Sequence, residues 1–124
     1  MKLASIRIIT ADIGRLVGFY EQVAGVKATM FTEDFGELAT PGCTLAIGST
    51  RTLRLFGGDL RAGDNRSVII EFRVDDVDGD YRRLAEVIGE GLVQAPTTMP
   101  WGNRSLLFRD PDGNLVNLFS RPAG

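Results

Sequence analysis

The side chains able to do chemistry in this sequence are few, and the most telling fact about them is an absence. The 124 residues include no histidine and a single cysteine, Cys43. Without histidine the chain lacks the commonest metal ligand and the commonest general base at neutral pH. A lone cysteine can form neither an internal disulfide nor a Cys/His nucleophilic pair, so Cys43 reads as a small half-buried residue. Acid–base work would fall to a carboxylate. Glu71, inside the strand-like run Ser67-Val-Ile-Ile-Glu-Phe-Arg-Val74, is the candidate base. Asp75, Asp76, Asp78 and Asp80 look like a metal cluster, but acidic residues opening a helix are explained by capping and by the helix dipole. Asp110 and Asp112 are turn formers, and Gly57-Gly58 is too short for a phosphate loop.

For binding rather than catalysis, the aromatic residues matter more. Trp101, the only tryptophan, sits between Pro100 and Gly102, a poor place for a core residue and a good one for a rim that closes on a flat ligand. Stacking there would contribute about 0.5–1.5 kcal/mol beyond burial. Packing of Trp101 on its own hairpin or on a second copy is the alternative. Met99, Phe31 and Phe35 are candidates for the same wall.

The elements that must position these groups follow from periodicity. Leu3–Thr10 alternates as a strand. Asp12 caps a helix with apolar residues at Ile13, Leu16, Val17, Tyr20 and Ala24, and Gly25 ends it. Val26–Thr32 reads as a second strand, with short β segments around Phe35–Ala39, Cys43–Ile47 and Thr52–Phe56. The Gly- and Asp-rich stretch 57–65 is the linker candidate. The pattern then restarts: strand Ser67–Val74, a helix opened by Asp76 with Val77, Tyr81, Leu84, Ala85 and Ile88, then Gly89. A shift of 64 positions carries Asp12 onto Asp76, Ile13 onto Val77, Tyr20 onto Leu84 and Gly25 onto Gly89, which reads as internal duplication. At the C-terminal end, strand Arg104–Arg109, the turn Asp110-Pro-Asp-Gly-Asn114 and strand Leu115–Ser120 form a hairpin. Pro111 presets φ, Gly113 and Asn114 tolerate positive φ, and the Asp110 carboxylate bonds the turn backbone.

Composition bounds the function. The length is that of one domain with one core, and 44% hydrophobic with 24% charged residues is ordinary for a globular protein. A net charge of −2 offers no basic patch for nucleic acid or an anionic membrane. No apolar run reaches the roughly 18 residues of a membrane span, and no signal peptide opens the chain, so the cytoplasm is expected.

Pro100-Trp101-Gly102, the Arg two residues on, Asp110-Pro-Asp-Gly-Asn114 and a closing Leu-x-x-Leu strand resemble the C-terminal half of the vicinal oxygen chelate superfamily, which includes glyoxalase I, extradiol dioxygenases and bleomycin-resistance proteins. The duplicated βαβββ pattern extends the resemblance over nearly the whole chain. It implies an α+β fold of two tandem modules, about 1–57 and 67–124 joined by a linker of about 58–66. Their curled mixed sheets would form a cup with helices outside. It also implies a homodimer. A third class of function is a subunit whose cup is filled by its own side chains and whose role lies in association.

Metal-dependent relatives place one ligand on the first and one on the last strand of each module. Carried over by position, and with Thr52–Phe56 taken as the closing strand of module 1, the four places fall on Ser5, Arg54, Ile69 and Asn117. A divalent ion wants His, Glu, Asp or Cys, so no metal and no other cofactor is expected. Strand parity points Ser5, Arg7, Arg54, Ile69, Glu71 and Asn117 into the cup with Phe56 and Phe119, and turns Ile6, Ile8, Ile70, Phe72 and Val74 toward the helices. Arg7 and Glu71, at duplicated positions, would meet as an ion pair. The first expectation is therefore metal-free sequestration of a planar, partly charged compound such as an antibiotic. The alternative is a lyase or isomerase of the glyoxalase or dioxygenase type, working through atypical metal ligands or through Glu71, with Arg54 stabilising an enolate.

Overall fold

The computed structural model describes residues 1–55, 61–63 and 65–122. Two compact units divide the chain, Met1–Asp64 and Asn65–Gly124. The first contains β1 (Ser5–Thr10), α1 (Ile13–Ala24), β2 (Thr29–Thr32), β3 (Phe35–Thr40) and β4 (Cys43–Ser49), followed by a 3-10 segment at Thr50–Leu55. The second contains β5 (Ile69–Arg73), α2 (Val77–Ile88), a short 3-10 turn at Gly89–Gly91, β6 (Leu92–Thr98), β7 (Arg104–Arg109) and β8 (Leu115–Ser120). Each unit is a βαβββ module.

The two sheets repeat one topology, β1-β4-β3-β2 and β5-β8-β7-β6. In each, the first strand pairs parallel with the last, and the remaining pairs are antiparallel. The helices begin alike. Asp12 (φ −134°, ψ 87°) accepts from the Arg15 amide, and Asp76 (φ −137°, ψ 91°) accepts from the Gly79 amide, each satisfying an N–H that the helix leaves unpaired. Their ends differ. Gly25 ends α1 in the left-handed region at φ 69°, whereas Gly89 leads into the 3-10 turn.

One face of each sheet is covered by its own helix. In the first module Leu16, Val17, Phe19, Tyr20 and Val23 of α1 are buried, as are Leu38, Leu45 and Ile47 of the sheet. In the second the buried set is Val77, Leu84 and Ile88 of α2 with Leu106, Phe108, Val116 and Leu118. Full burial of each such side chain contributes about 1.5–3 kcal/mol.

Several expectations are corrected by these elements. Thr52–Phe56 is not a strand. The Arg51 amide donates to Ser49 Oγ (3.2 Å) and Thr52 Oγ1 donates to the Ser49 carbonyl (2.7 Å). Ser49 Oγ and Arg51 Nε both donate to Asp34 Oδ1, at 2.8 and 2.7 Å. These local bonds offer the backbone an alternative to a ladder and turn the chain into a helical bend. The closing strand of module 1 is therefore β4, and Phe56 and the Arg54 side chain lie outside the described residues. Strand β6, which the duplicated βαβββ pattern requires, was not placed in the sequence reading, and Pro96 falls inside it. It is an edge strand with register shifts on both sides of Gln94, where a missing N–H is tolerated. Cys43 is exposed rather than half-buried, since it opens β4 at the sheet margin.

The C-terminal hairpin forms as its sequence predicts. Asp110, 4% exposed, accepts from the amides of Asp112 and Asn114 (both 2.9 Å) through Oδ1 and from Asn114 Nδ2 (2.8 Å) through Oδ2. Gly113 alone in that turn adopts positive φ, 89°.

Candidate functional site

Each sheet has a second face that its own helix does not cover, and the candidate residues fall there. In module 2 the register places Glu71 opposite Asn117, and Asn117 opposite Leu107. Ile69, Leu115 and Arg109 form the next row on that face, with Arg73, Phe119 and Ser105 on the other side. Parity holds here: the intervening Val116, Leu118, Leu106 and Phe108 are the buried, helix-facing set. Asn117 Nδ2 donates to Glu71 Oε2 at 2.8 Å, which fixes the amide orientation and turns Oδ1 away. That Oδ1 is buried and has no hydrogen-bond partner among the described residues. An acceptor left unmet in this way costs about 1–3 kcal/mol, so a donor brought to it would be favoured.

In module 1 the matching face is built differently. Arg7, Ser5 and Ile9 project from β1, opposite Ala46, Thr44 and Gly48 of β4. The Arg7 guanidinium lies 4.3 Å from the Phe35 ring centroid, a cation–π contact. Phe31 stacks on Phe35 with centroids 5.8 Å apart and stays 59% exposed. Gly48 makes space beside them: a Cβ there would stand 2.9 Å from Thr52 Oγ1 and 3.7 Å from Arg7 Cδ.

The register also corrects the ligand position that the sequence alignment gave to Arg54. Asn117 is the β8 partner of Glu71, and the module 1 counterpart of Glu71 is Arg7, whose β4 partner is Ala46. The positions to test against a cation are then Ser5 and Ala46 in module 1, with Arg54 removed, and Ile69 and Asn117 in module 2. Ala46 and Ile69 have no side-chain donor atom, which leaves module 1 a single serine hydroxyl and module 2 a single amide, each a poor match for a transition metal. These residues do not fit a catalytic metal. Among the described residues no three His, Cys, Asp or Glu side chains come together elsewhere.

Trp101 is held by a closed loop in which Met99 N donates to the Asn103 carbonyl (2.7 Å) and Gly102 N to the Met99 carbonyl (2.8 Å). The loop is tied, yet the indole is 69% exposed, so it is not packed on its own hairpin. Met99 is half-buried. Ile6, expected to back onto the helix, is 47% exposed because β1 is an edge strand; Ile69, on the other edge, is 50% exposed.

The acidic cluster is structural. Asp76 is the cap, Asp78 binds Arg104 through Nε (2.9 Å) and Nη2 (2.8 Å), and Asp80 binds Arg83. The Arg104 hydrogen bonds hold the Asp78 carboxyl below its ordinary range. Arg51, assisted by Ser49, does the same to Asp34 in module 1. The first pair ties α2 to β7, and the second ties the β2–β3 turn to the 3-10 segment; both are open to solvent.

Sequence reasoning missed Ala46, which only the β4 register reveals. It also missed a cleft in module 2 lined by Arg66 and Arg109, residues on opposite sides of α2 in the chain. No helix of the described residues is long and apolar enough to cross a membrane.

Comparison with known proteins agrees with this architecture. Residues 2–118 match the family described as the Glyoxalase/Bleomycin resistance protein/Dioxygenase superfamily. An uncharacterized protein of Bacillus subtilis, YraH, is 27% identical over 96% of this chain and 98% of its own length. Among solved structures, a glyoxalase-related enzyme from Fulvimarina pelagi superposes with a TM-score of 0.83 at 20% identity, covering all of this chain and 93% of that one. A glyoxalase/bleomycin resistance protein/dioxygenase from Nocardioides gives 0.79 at 22% identity, covering all of this chain and 85% of its own.

Proposed function

The chain belongs to the Glyoxalase/Bleomycin resistance protein/Dioxygenase superfamily, and from that premise we propose that it binds a small planar molecule without a metal and acts by sequestering it. The observation that carries the reading is the donor chemistry at the family's ligand positions, where Ser5, Ala46, Ile69 and Asn117 stand in place of residues that grip a cation. Two further features support it. Trp101 is a large, exposed aromatic surface on a tied loop, and stacked Phe31 and Phe35 with Arg7 offer a second aromatic platform in module 1. Polar groups set among apolar walls are how small-molecule sites are built; Glu71 and Asn117 supply them on the module 2 face, and Ser5 on that of module 1.

Because Trp101 is the only tryptophan, intrinsic fluorescence reports on one place. A panel of aromatic antibiotics titrated against wild type and Trp101→Ala tests the reading. Binding should quench wild-type fluorescence and raise its Tm, and the Tm shift should shrink in the variant. Identical thermal shifts in both proteins across the panel would overturn it.

A second reading, an isomerase or lyase with Glu71 as base, draws on the Glu71–Asn117 hydrogen bond, which orients the carboxylate. Proton exchange at carbon acids α to a carbonyl, lost in Glu71→Gln while ligand binding persists, would favour catalysis over sequestration.

A further inference from the structure

Beyond the planar-ligand face, module 2 carries a small cleft of about 190 Å³ lined by Asn65, Arg66, Ser67, Val68, Ile69, Arg109 and Leu115. Its composition is unusual. Two guanidinium-bearing residues line one small space, and among the described residues no carboxylate does. Like charges brought together are unfavourable unless something negative lies between them, and a pair of cations beside apolar walls is a place where an anion gains most.

The cleft is also built rather than incidental. Asn65 accepts the Ser67 amide through Oδ1 (3.3 Å) and reaches Asn114 Oδ1 through Nδ2 (3.5 Å). Asn114 is itself buried and bonded to Asp110. This chain of contacts fastens the segment before β5 to the turn between β7 and β8, and so brings Arg66 to the same space as Arg109. Arg109 donates Nη1 to the Gly113 carbonyl at 3.1 Å, which orients its guanidinium and leaves other N–H groups of the fork for a ligand. Asp110, next in the chain, has both carboxylate oxygens engaged within the turn. Val68 and Ile69, 46% and 50% exposed, form an apolar side that an occupant would cover.

We propose that this cleft is an anion subsite that takes the phosphoryl or carboxylate group of a small molecule, gripped between Arg66 and Arg109 with the Ser67 hydroxyl as a third donor. A planar charge-delocalised fork suits either group. Ile69 and Leu115 share the helix-free face with Glu71 and Asn117, so the subsite would fix one charged end of a ligand whose body runs along that face.

The test is titration of inorganic phosphate, and separately of acetate, into the full chain at constant ionic strength, followed by amide chemical shifts. Saturable shifts at Ser67, Ile69 and Leu115 are expected with at least one anion, and which anion saturates names the class. Arg66→Gln and Arg109→Gln should each weaken that binding about tenfold, as expected for loss of a charge-assisted hydrogen bond. Arg66 is exposed and its replacement should leave the fold intact, so it remains informative if Arg109→Gln disturbs the turn. Trp101→Ala should leave anion binding unchanged, which separates this proposal from the reading of Trp101. Absence of saturable shifts with both anions, or unaltered affinity in Arg66→Gln, would overturn it.

Discussion

The two modules share a backbone plan and differ in what they place on the uncovered sheet face. On β4 the residues of that face are Thr44, Ala46 and Gly48, and on β8 their register counterparts are Leu115, Asn117 and Phe119. Small side chains on β4 leave room, and the space is taken by Arg7 lying on Phe35. Bulky side chains on β8 fill the face from the centre of the sheet, and Glu71 is met by Asn117 rather than by an aromatic ring. Duplicated Arg7 and Glu71 have thus acquired opposite charges and different partners. The lesson is that the helix-covered side, where every residue must pack, holds a module together, while the other side is free to change its chemistry.

That comparison can be broken most directly in the shared part. Phe108→Ala, at a fully buried helix-facing site, should cost about 3–5 kcal/mol in urea unfolding. A loss below about 1 kcal/mol would mean that the covered face is not what holds module 2. Next in size, Gly48→Ala puts a Cβ 2.9 Å from Thr52 Oγ1 and should cost about 1–3 kcal/mol, whereas Phe119→Leu at the module 2 counterpart should cost less than about 1.5 kcal/mol. Equal costs at the two positions would remove the distinction between a face of small residues and a face of large ones.

Asn117→Asp sharpens the contrast at Glu71. Two carboxylates would face each other across the ladder, a cross-strand repulsion of about 0.2–1 kcal/mol, relieved as pH falls and one of them takes a proton. Stability of this variant relative to wild type should rise between pH 7 and pH 4, and a pH-independent difference would contradict the assigned contact. The smallest effect is expected at the exposed pairs. Asp78 and Asp34 have folded pKa values below their unfolded ones, so their stabilisation is present above about pH 3.9 and lost as pH falls through the folded value. Arg104→Gln and Arg51→Gln should each flatten the acid limb of the stability curve, and added salt should reduce the wild-type effect.

Much of the fold was legible because it is specified locally. Asp12 and Asp76 cap their helices, Asp110 through Asn114 make the turn, and apolar spacing names the buried faces. The candidate site was legible only as far as parity carries. Asn117 follows from its distance to the Asp110 turn, but its module 1 counterpart could not be found by aligning Thr52–Phe56 with Leu115–Phe119. Three side-chain bonds from Ser49, Arg51 and Thr52 end the sheet earlier, and two of them, from Ser49 and Arg51, reach back to Asp34. The Arg66–Arg109 cleft was illegible for the same reason, since the Asn65–Asn114 contact that creates it links residues 49 positions apart.

The strand order has a consequence for assembly. In both sheets the strand made last within its module lies between two partners that precede it, β4 between β1 and β3, and β8 between β5 and β7. Neither opening strand can gain its ladder until the whole module has been synthesised, so each would wait, unpaired, on the ribosome. A chain cut just before Leu115 would leave β5 without a neighbour and β7 bare along one side, and should be recovered as a protease-sensitive species that a separately supplied β8 peptide could complete.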